Sequence, residues 1–342
     1  MSTSPQVQNV SSSDKLACRV CSNRENNLIH TAREMMFGTR ERFDYLECGE
    51  CGTVQIVQVP DLTTYYPPEY LSFDSEREID LATNLQRRIG ARLAGMRIVK
   101  GSGLLGKIVL AAKPWVATHY PTSLLEPSLN LGFRSRILDF GCGSGHLLRT
   151  LYYFGFRKLT GADAFIESDL EYPGVRILKR ELSELDGEFD LIMLHHSFEH
   201  LVDPLSAMRE IHRLLADDGS CLIRMPVVSH AWEIYGVDWV QLDPPRHLFL
   251  FTERAFKDLV RSAGFEVTKV VYDSTAFQFW GSEQYRLDIP LNDPRSPNVS
   301  GGADIFTEEQ MKDWAVRAEK LNRAGEGDQA CFYLRKSRTI KA

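Results

Sequence analysis

Apolar residues along the chain fall into short runs that alternate with glycine turns and with helical segments, a pattern typical of an α/β sheet. Strands are predicted at 137–140, 158–162, 174–179, 189–194, 220–225, 265–272 and 327–336. After the fourth strand, apolar residues at helical spacing predict a helix over 204–215, which Asp217, Asp218 and Gly219 should end. Another helix is predicted from the cap residue Thr252 to Gly264. The pattern therefore predicts an α/β domain.

The chain before residue 61 lacks the α/β pattern and divides into a polar tail and a cysteine-containing segment. Residues 1–13 are rich in Ser, Thr, Gln and Asn without an apolar core, which predicts a disordered tail and not a signal peptide. Residues 14–60 contain two cysteine pairs, with predicted strands at 43–46 and 53–59. This part of the chain therefore forms a separate small unit in the prediction.

Residues 61–130 are predicted to form a linker and helical lid region. An aromatic and proline-rich segment at 65–70 could cover a substrate or pack between domains, and a mixed helical stretch follows at 76–99. The α/β domain is predicted to occupy residues 131–342. An insertion at about 273–326 precedes the last strand, and its length favours a part in substrate recognition.

Composition restricts the classes of partner. The chain has 342 residues, with 40 Lys or Arg and 46 Asp or Glu, for a formal net charge of −6. This net charge argues against a dominant phosphate-binding surface, although the average leaves room for a local basic patch, so a nucleic-acid partner is disfavoured. The longest apolar stretch, 104–117, is too short to span a bilayer and contains two lysines and a proline. We therefore expect a cytoplasmic protein without a transmembrane segment.

Four of the seven cysteines form two Cys-x-x-Cys pairs, Cys18 with Cys21 and Cys48 with Cys51. Two such turns can present four thiolates tetrahedrally around one ion, which predicts a structural zinc ribbon. Two disulfides, a redox pair and a ribbon without metal are the alternatives. A reducing compartment disfavours the disulfides, and a redox pair would need only one motif. The other cysteines are expected to be small core residues: Cys142, Cys221 and Cys331.

The turn after the first predicted strand is the most informative part of the chain. Asp139 is followed by glycines at every second position, Gly141, Gly143 and Gly145, and then by a predicted helix. Glycines allow a tight turn and a close approach of the backbone, and the N–H groups that open a helix attract an anionic group. A nicotinamide-dinucleotide site would need a glycine where His146 stands, so the spacing disfavours NAD.

This turn resembles motif I of the class I S-adenosylmethionine (SAM) methyltransferases, which reads hydrophobic-acid-x-Gly-x-Gly-x-Gly. The resemblance implies a Rossmann-like, seven-stranded α/β sheet whose last strand is antiparallel, with SAM as the cofactor. It assigns cofactor binding to the turn, and it assigns the ribose hydroxyls to Asp163 at the end of the second strand. The cofactor-binding residues expected from the resemblance are Asp139, Gly141, Cys142, Gly143, Asp163, Ala164, Glu181 and Leu182.

Methyl transfer to a hydroxyl or an acidic carbon requires alignment of the acceptor and removal of a proton, a task that suits histidine at neutral pH. His195 and His196 end the fourth predicted strand, and His247 follows the fifth, so all three are candidates for the base. If the segment after the fourth strand is helical, His196, Glu199 and His200 share one face and could bind a divalent ion. The alternative is that Glu199 and His200 brace the loop by hydrogen bonds.

The order of ribbon and α/β domain resembles bacterial zinc-ribbon methyltransferases associated with polysaccharide and secondary-metabolite pathways. Similarity to sugar C-methyltransferases is limited, because their large C-terminal domain and His-Glu-His-Leu segment are not found here. Glu199-His200-Leu201 and Arg246-His247-Leu248 are similar to small-molecule O-methyltransferases, including the ubiquinone-pathway type. The predicted activity is methyl transfer to an oxygen, or secondarily a carbon, of a sugar, glycan or other small metabolite. A catalytically inactive ribbon scaffold and an RNA methyltransferase are the alternatives, and the sequence does not determine the oligomer.

Overall fold

The computed structural model describes residues 16–66, 79–299 and 305–337, so the predicted tail at 1–13 lies outside the described residues. The strands are β1 (Leu28–Arg33), β2 (Arg42–Glu47), β3 (Val54–Ile56), β4 (Arg136–Phe140), β5 (Lys158–Ala162), β6 (Leu170–Tyr172), β7 (Val175–Leu178), β8 (Phe189–His195), β9 (Leu215–Pro226), β10 (Phe249–Leu250), β11 (Phe265–Tyr272) and β12 (Gln329–Lys336). The helices are α1 (Leu85–Lys100), α2 (Leu104–Ala112), α3 (Trp115–Thr118), α4 (His146–Phe154), α5 (Pro204–Leu214), α6 (His230–Tyr235), α7 (Glu253–Ser262), α8 (Phe277–Arg286) and α9 (Glu308–Ala324).

The large sheet has the strand order β11-β12-β9-β8-β4-β5-β7-β6. Strands β9, β8, β4, β5 and β7 run parallel, while β12 pairs antiparallel with both β9 and β11. This confirms the predicted α/β sheet with an antiparallel last strand. The sheet contains eight strands rather than seven, because the short edge strand β6 pairs antiparallel with β7.

Burial explains why the central strands form. In β4 and β8, apolar residues such as Leu138 and Ile192 are fully buried, since helices cover both faces of the parallel sheet. Helix α7 starts where predicted, because the Thr252 side chain accepts a hydrogen bond from the backbone N–H of Ala255.

The end of helix α5 differs from its prediction. Helix α5 ends at Leu214, and strand β9 begins at Leu215 instead of after the acidic turn at 217–219. Leu215 is buried and pairs with Phe189, so its extended conformation places an apolar side chain in the core.

The cysteine-containing region forms a second sheet with the order β1-β2-β3-β10. Its last strand, β10, comes from the α/β domain and pairs antiparallel with β3. The Ile56 N–H also donates to the Leu248 carbonyl at 3.0 Å. The ribbon predicted at 14–60 is therefore completed by a strand nearly 200 residues away in sequence.

Helices α1 and α2 form a hairpin in the region predicted as 61–130, and α8 and α9 lie in the region predicted as the insertion at 273–326. Helix α1 begins at Leu85, later than the predicted 76, because the Asn84 side chain accepts from the Arg87 N–H and caps it. Residues 67–78 and 300–304 are outside the described part of the chain. No helix in the described ranges has both the length and the apolar character needed to cross a bilayer.

Candidate functional site

A cavity of about 520 Å³ lies at the carboxyl ends of β4, β5 and β8. Ligands of open α/β sheets bind at this edge, where the loops after successive strands meet. Six residues predicted from the sequence line it: Gly141, Asp163, Ala164, Glu181, Leu182 and His196. The other lining residues include Leu62, Tyr66, Phe165, Ser197, His200, Asp203, Ser206 and Glu210. The structure therefore brings together residues from the four loops that follow β4, β5, β7 and β8.

Gly141 lines this cavity, and a residue with a side chain does not fit at its position. Its φ is +72°, and a Cβ atom would lie 2.3 Å from the Cβ of Ser197. The Gly141 N–H donates to the Ala162 carbonyl at 2.8 Å, and the Ser197 hydroxyl donates to the Phe140 carbonyl at 2.8 Å. These contacts tie the tips of β4, β5 and β8 together and leave the turn open to a ligand.

Asp163 is held by two backbone donors. The Gly143 N–H donates to Oδ2 at 2.9 Å and the Phe165 N–H donates to Oδ1 at 2.9 Å. Burial raises the pKa of Asp163, while these two hydrogen bonds act in the opposite direction. A carboxylate has about four acceptor positions, so both oxygens keep a place for a further donor such as a ribose hydroxyl. The geometry fits an adenosyl ligand.

Three other residues predicted for the cofactor lie behind the cavity wall. Asp139, Cys142 and Gly143 do not line the cavity, and Asp139 is buried. Burial, together with the charge of Asp163, raises the pKa of Asp139 to about 8. The assignment of Asp139 and Cys142 to the cofactor stays a prediction. Gly143 acts through its N–H bond to Asp163.

A second cavity of about 360 Å³ lies beside the first, and His196 lines both. Its wall combines polar side chains with a few apolar ones: Met36, Arg224, Val240, Gln241, Asp243, His247, Thr275, Phe277, Leu291 and Gln329. These residues come from the ribbon, the strand β9, the 240–247 loop, the insertion and β12. The second cavity is thus assembled from parts of the chain that are far apart in sequence.

His196 stands at the junction of the two cavities with φ +51°. Its Nε2 accepts from Arg224 Nη1 at 2.6 Å, and its Nδ1 lies 3.5 Å from Oε1 of Glu199. Arg224 also donates to Asp273 at 2.6 Å. The ring is therefore oriented with Nδ1–H towards a carboxylate, an arrangement that stabilises an imidazolium when Nε2 takes up a proton.

The other two predicted bases occupy different surroundings. His195 lines neither cavity, and burial, with Arg224 nearby, lowers its pKa to about 3. His247 lines the second cavity and donates from Nδ1 to the Gln241 carbonyl at 2.7 Å. Burial and the neighbouring His200 lower the pKa of His247 to about 4, so it is neutral at pH 7. Their role as a base stays a prediction.

Glu199 is fully buried, and neither of its carboxylate oxygens has a hydrogen-bond partner among the described residues. Burial alone would raise its pKa, but His196, His200 and His247 together lower it to about 2. Glu199, His200 and His247 place one ligand atom each within 4.8 Å of one another. This trio could hold a divalent ion. It differs from the set His196, Glu199 and His200, which would share a face only on an α-helix, because Phe198–His200 is a single 3-10 turn.

The loop that carries His247 is bound to the ribbon by buried charges. Arg246 donates to Glu34 of the ribbon at 2.8 Å and to Asp243 at 2.6 Å, and both Arg246 and Glu34 are fully buried. The Tyr45 hydroxyl donates to the His247 carbonyl at 2.9 Å. Since Met36 of the same ribbon lines the second cavity, the ribbon forms part of its wall.

The four predicted zinc ligands form one cluster in the structure. The Cys18 and Cys51 sulfurs are 3.8 Å apart, those of Cys21 and Cys48 are 3.5 Å apart, and all four lie within 4.8 Å of one another. Such spacings suit four thiolates at about 2.3 Å from one zinc ion. The Gln55 amide and backbone N–H groups of both turns donate to the sulfurs, as bound thiolates require. The cluster fits a tetrahedral metal ion.

Sequence reasoning did not assign several of these residues to the site. Tyr66 lines the first cavity and stacks on Phe165, with ring centroids 5.0 Å apart. The aromatic segment at 65–70 did signal such a role, because covering a substrate was one of its two interpretations. Residues 67–70 are outside the described part of the chain. The partnership of Arg224 with His196 had no local signal, because it depends on the pairing of β8 with β9.

Comparison with known proteins gives a family match and more distant relatives. The family model described as "Methyltransferase domain" matches residues 84–270, more than half of the chain. A ubiquinone biosynthesis O-methyltransferase from Ruegeria pomeroyi is 34% identical over 152 residues, which are 38% of this chain and 60% of that protein. One from Cereibacter sphaeroides is 30% identical over 170 residues, 44% of this chain and 67% of the relative. The chain thus spans about 60% of the length of the first relative.

Solved structures are similar at a lower level. The cyclopropane synthase MmaA2 from Mycobacterium tuberculosis has 18% sequence identity and a TM-score of 0.42, over 65% of this chain and 84% of that protein. The family match, at residues 84–270, does not extend to the ribbon.

Proposed function

The chain belongs to the methyltransferase-domain family, and from this premise we propose that it transfers the methyl group of SAM to an oxygen of a small, hydroxyl-bearing metabolite. One observation carries the proposal: two cavities meet at His196, one containing Asp163 and the other lined by polar side chains. The first suits an adenosyl cofactor, and the second suits an acceptor. A sugar is the acceptor we favour, because Gln241, Asp243 and Gln329 offer several hydrogen-bond donors and acceptors.

Bound SAM would supply an electrophilic methyl group, which the acceptor oxygen attacks in line. Asp163 would hold the ribose hydroxyls, with Glu181 and Leu182 beside the adenine, as motif resemblance implies. The second cavity would orient the acceptor and exclude water through its apolar residues Phe277 and Leu291.

His196 would remove the acceptor proton at Nε2. The acceptor hydroxyl would take the place that Arg224 occupies on Nε2, and Arg224 would remain paired with Asp273. Glu199 would stabilise the resulting imidazolium, because its carboxylate faces Nδ1 and its oxygens make no hydrogen bond with another described residue. General base catalysis of this kind contributes about 10²- to 10⁴-fold to a rate.

Zinc is proposed for the four-cysteine cluster, where it would be structural. The site would fix the two turns of the ribbon, and thereby the loop that contributes Met36 to the second cavity and Glu34 to the ion pair with Arg246. Metal analysis of the purified protein tests this assignment. We expect close to one equivalent of zinc, and less than about half an equivalent would contradict the assignment.

Calorimetric titration with S-adenosylhomocysteine tests the cofactor assignment. Wild-type protein should bind, and Asp163→Ala should bind at least about tenfold more weakly because two charge-assisted hydrogen bonds to ribose are lost. Asp217→Ala, an exposed acidic residue outside both cavities, is the matched control and should bind as the wild type does. No binding by the wild type would support the scaffold alternative. Screening acceptors for a SAM-dependent mass gain of one methyl group would identify the substrate.

A further inference from the structure

The hairpin of α1 and α2 has a charge unlike that of the whole chain. Residues 85–113 contain seven basic residues and no Asp or Glu, although the formal net charge of the chain is −6. The basic residues are Arg87, Arg88, Arg92, Arg97, Lys100, Lys107 and Lys113. Arg87 pairs with Asp80, but no ion pair with a described acidic residue is recorded for the other six. Arg92 lies inward, with its Nη1 buried and its guanidinium over the Phe133 ring, and the remaining basic residues give the hairpin a concentrated positive charge.

The same hairpin exposes large apolar side chains. Leu85 is 70% exposed, Leu104 75%, Leu105 62%, and Ile89 and Ile108 are about half exposed. These are five of the thirteen exposed large hydrophobic residues in the described part of the chain. Such clustering is unusual for an ordinary surface and marks an interaction site.

Packing between the two helices explains why these side chains point outward. A Cβ on Gly106 would lie 2.3 Å from the Leu93 carbonyl oxygen, so α2 contacts α1 through its glycine side. On α2, Leu104 and Ile108 are four residues apart and share a face, with Leu105 beside them. The internal contact thus uses the glycine, and the leucine face of α2 is left uncovered.

We propose that the α1–α2 hairpin docks on the surface of an anionic lipid bilayer. Its leucine and isoleucine side chains would enter the boundary between headgroups and acyl chains, and its lysines and arginines would contact anionic headgroups. Helices with Lys and Arg beside an apolar face bind membranes in this way without spanning them. The hairpin is too short to cross a bilayer, in agreement with the described helices as a whole.

Two other occupants fit this surface less well. Nucleic acid would match the positive charge but would leave the exposed leucines in water. A second copy of the chain, related by a twofold axis, would place the same basic surface against itself, which charge repulsion opposes. An anionic bilayer satisfies both features at once.

The proposal is independent of the proposed catalytic activity, because no residue of the hairpin lines either cavity. Full-length protein would be mixed with vesicles of phosphatidylcholine alone or with about one third phosphatidylglycerol, and the bound fraction measured by flotation. We expect binding to the phosphatidylglycerol vesicles that weakens with salt. Two variants are Leu104→Ser/Leu105→Ser and Lys107→Gln/Lys113→Gln. Each should bind these vesicles at least about tenfold more weakly than the wild type does.

Control variants lie on or next to other helices. Leu287→Ser/Val316→Ser removes two apolar residues that are each more than half exposed, and Lys312→Gln/Arg323→Gln removes two exposed charges. Both controls should bind vesicles like the wild type, and all variants should keep the same S-adenosylhomocysteine affinity and thermal midpoint. The proposal is overturned if wild-type protein does not float with the phosphatidylglycerol vesicles, or if both hairpin variants bind unchanged. The proposal is also overturned if the protein binds RNA and only the lysine variant loses that binding. It is equally overturned if the protein forms a dimer that the leucine variant loses and that does not bind vesicles.

Discussion

The two cavities that meet at His196 are built in different ways. The first contains side chains that follow successive parallel strands, and its residues from Gly141 to Glu210 lie within about 70 positions of one another, apart from Leu62 and Tyr66. The second combines Met36 with Arg224, Asp243 and Gln329, which are separated by up to almost 300 positions. The first cavity is therefore a property of one local unit, and the second is a property of the assembled chain.

This difference has a functional meaning. A cofactor that many enzymes share can be bound by the same local geometry in each of them. A glycine turn and the carboxyl ends of neighbouring parallel strands supply that geometry. An acceptor differs between enzymes, and the cavity that we propose for it here is made from loops, an insertion and the ribbon, which can change without disturbing the sheet. Variants on the two sides should therefore separate cofactor binding from acceptor turnover.

His196→Ala should give the largest effect and test the junction itself. We expect the turnover number to fall by about 10²- to 10⁴-fold, because the proposed base is removed. The affinity for S-adenosylhomocysteine should stay within about twofold, since Asp163 and the glycine turn are unchanged. Methyl transfer assays and calorimetry measure the two quantities.

The matched control is His230→Ala, which changes a partly exposed histidine away from both cavities. It should leave both quantities unchanged. Equal loss of turnover in the two variants would contradict the role of His196, and so would a normal pH–rate profile for His196→Ala.

Arg246→Met should break the second cavity by separating its loop from the ribbon. Removing one partner of a buried ion pair costs about 3–5 kcal/mol, since Glu34 and Asp243 would be left as uncompensated charges. Chemical denaturation measures this loss. In the folded fraction, the KM for the acceptor should rise while the affinity for S-adenosylhomocysteine is retained. An unchanged KM with weaker S-adenosylhomocysteine binding would contradict the proposed roles of the two cavities.

Gly141→Ala should damage the first cavity in turn. A positive φ combined with a Cβ 2.3 Å from Ser197 is expected to cost about 2–3 kcal/mol of unfolding free energy. Gly132→Ala is the control, because no atom lies within 4 Å of its Cβ position and its φ lies outside the left-handed region. If the two variants unfold at the same denaturant concentration, the tight turn is not the constraint that we describe.

Asp139→Asn should give the effect that depends most on pH, a gain in thermal midpoint for the ligand-free protein. The pKa of Asp139 is raised from 3.8 to about 8 in the folded chain. The unfolded chain therefore ionises this group first, and its presence destabilises the fold progressively as the pH rises from about 4 to 8. The gain should appear at pH 7.5 and vanish near pH 4.

Scanning fluorimetry at the two pH values measures the gain from Asp139→Asn. Asp217→Asn serves as the control, because Asp217 is 99% exposed. An increase that is the same at both pH values would show that burial of the ionised form is not the cause.

Much of the fold was predictable because the signals are local. Apolar runs marked the strands of the central sheet, and the Thr252 cap marked the start of α7. The resemblance to motif I supplied the topology and the antiparallel last strand. The eighth strand and the early end of α5 were missed, since the short β6 and the buried Leu215 depend on partners that only pairing reveals.

By itself, the sequence determined the α/β class, the cysteine pairs and the residues around Gly141 and Asp163, because in each case the chemistry requires certain residues at short, regular spacing. Tertiary structure alone decided which histidine faces both cavities. His195 and His196 are neighbours in sequence, yet a positive φ at His196 turns one ring to the cavities and leaves the other buried. The tertiary structure also decided that Arg246 joins the ribbon to the loop that lines the second cavity. The contact between Glu34 and Arg246 forms only once the fold has brought the two segments together.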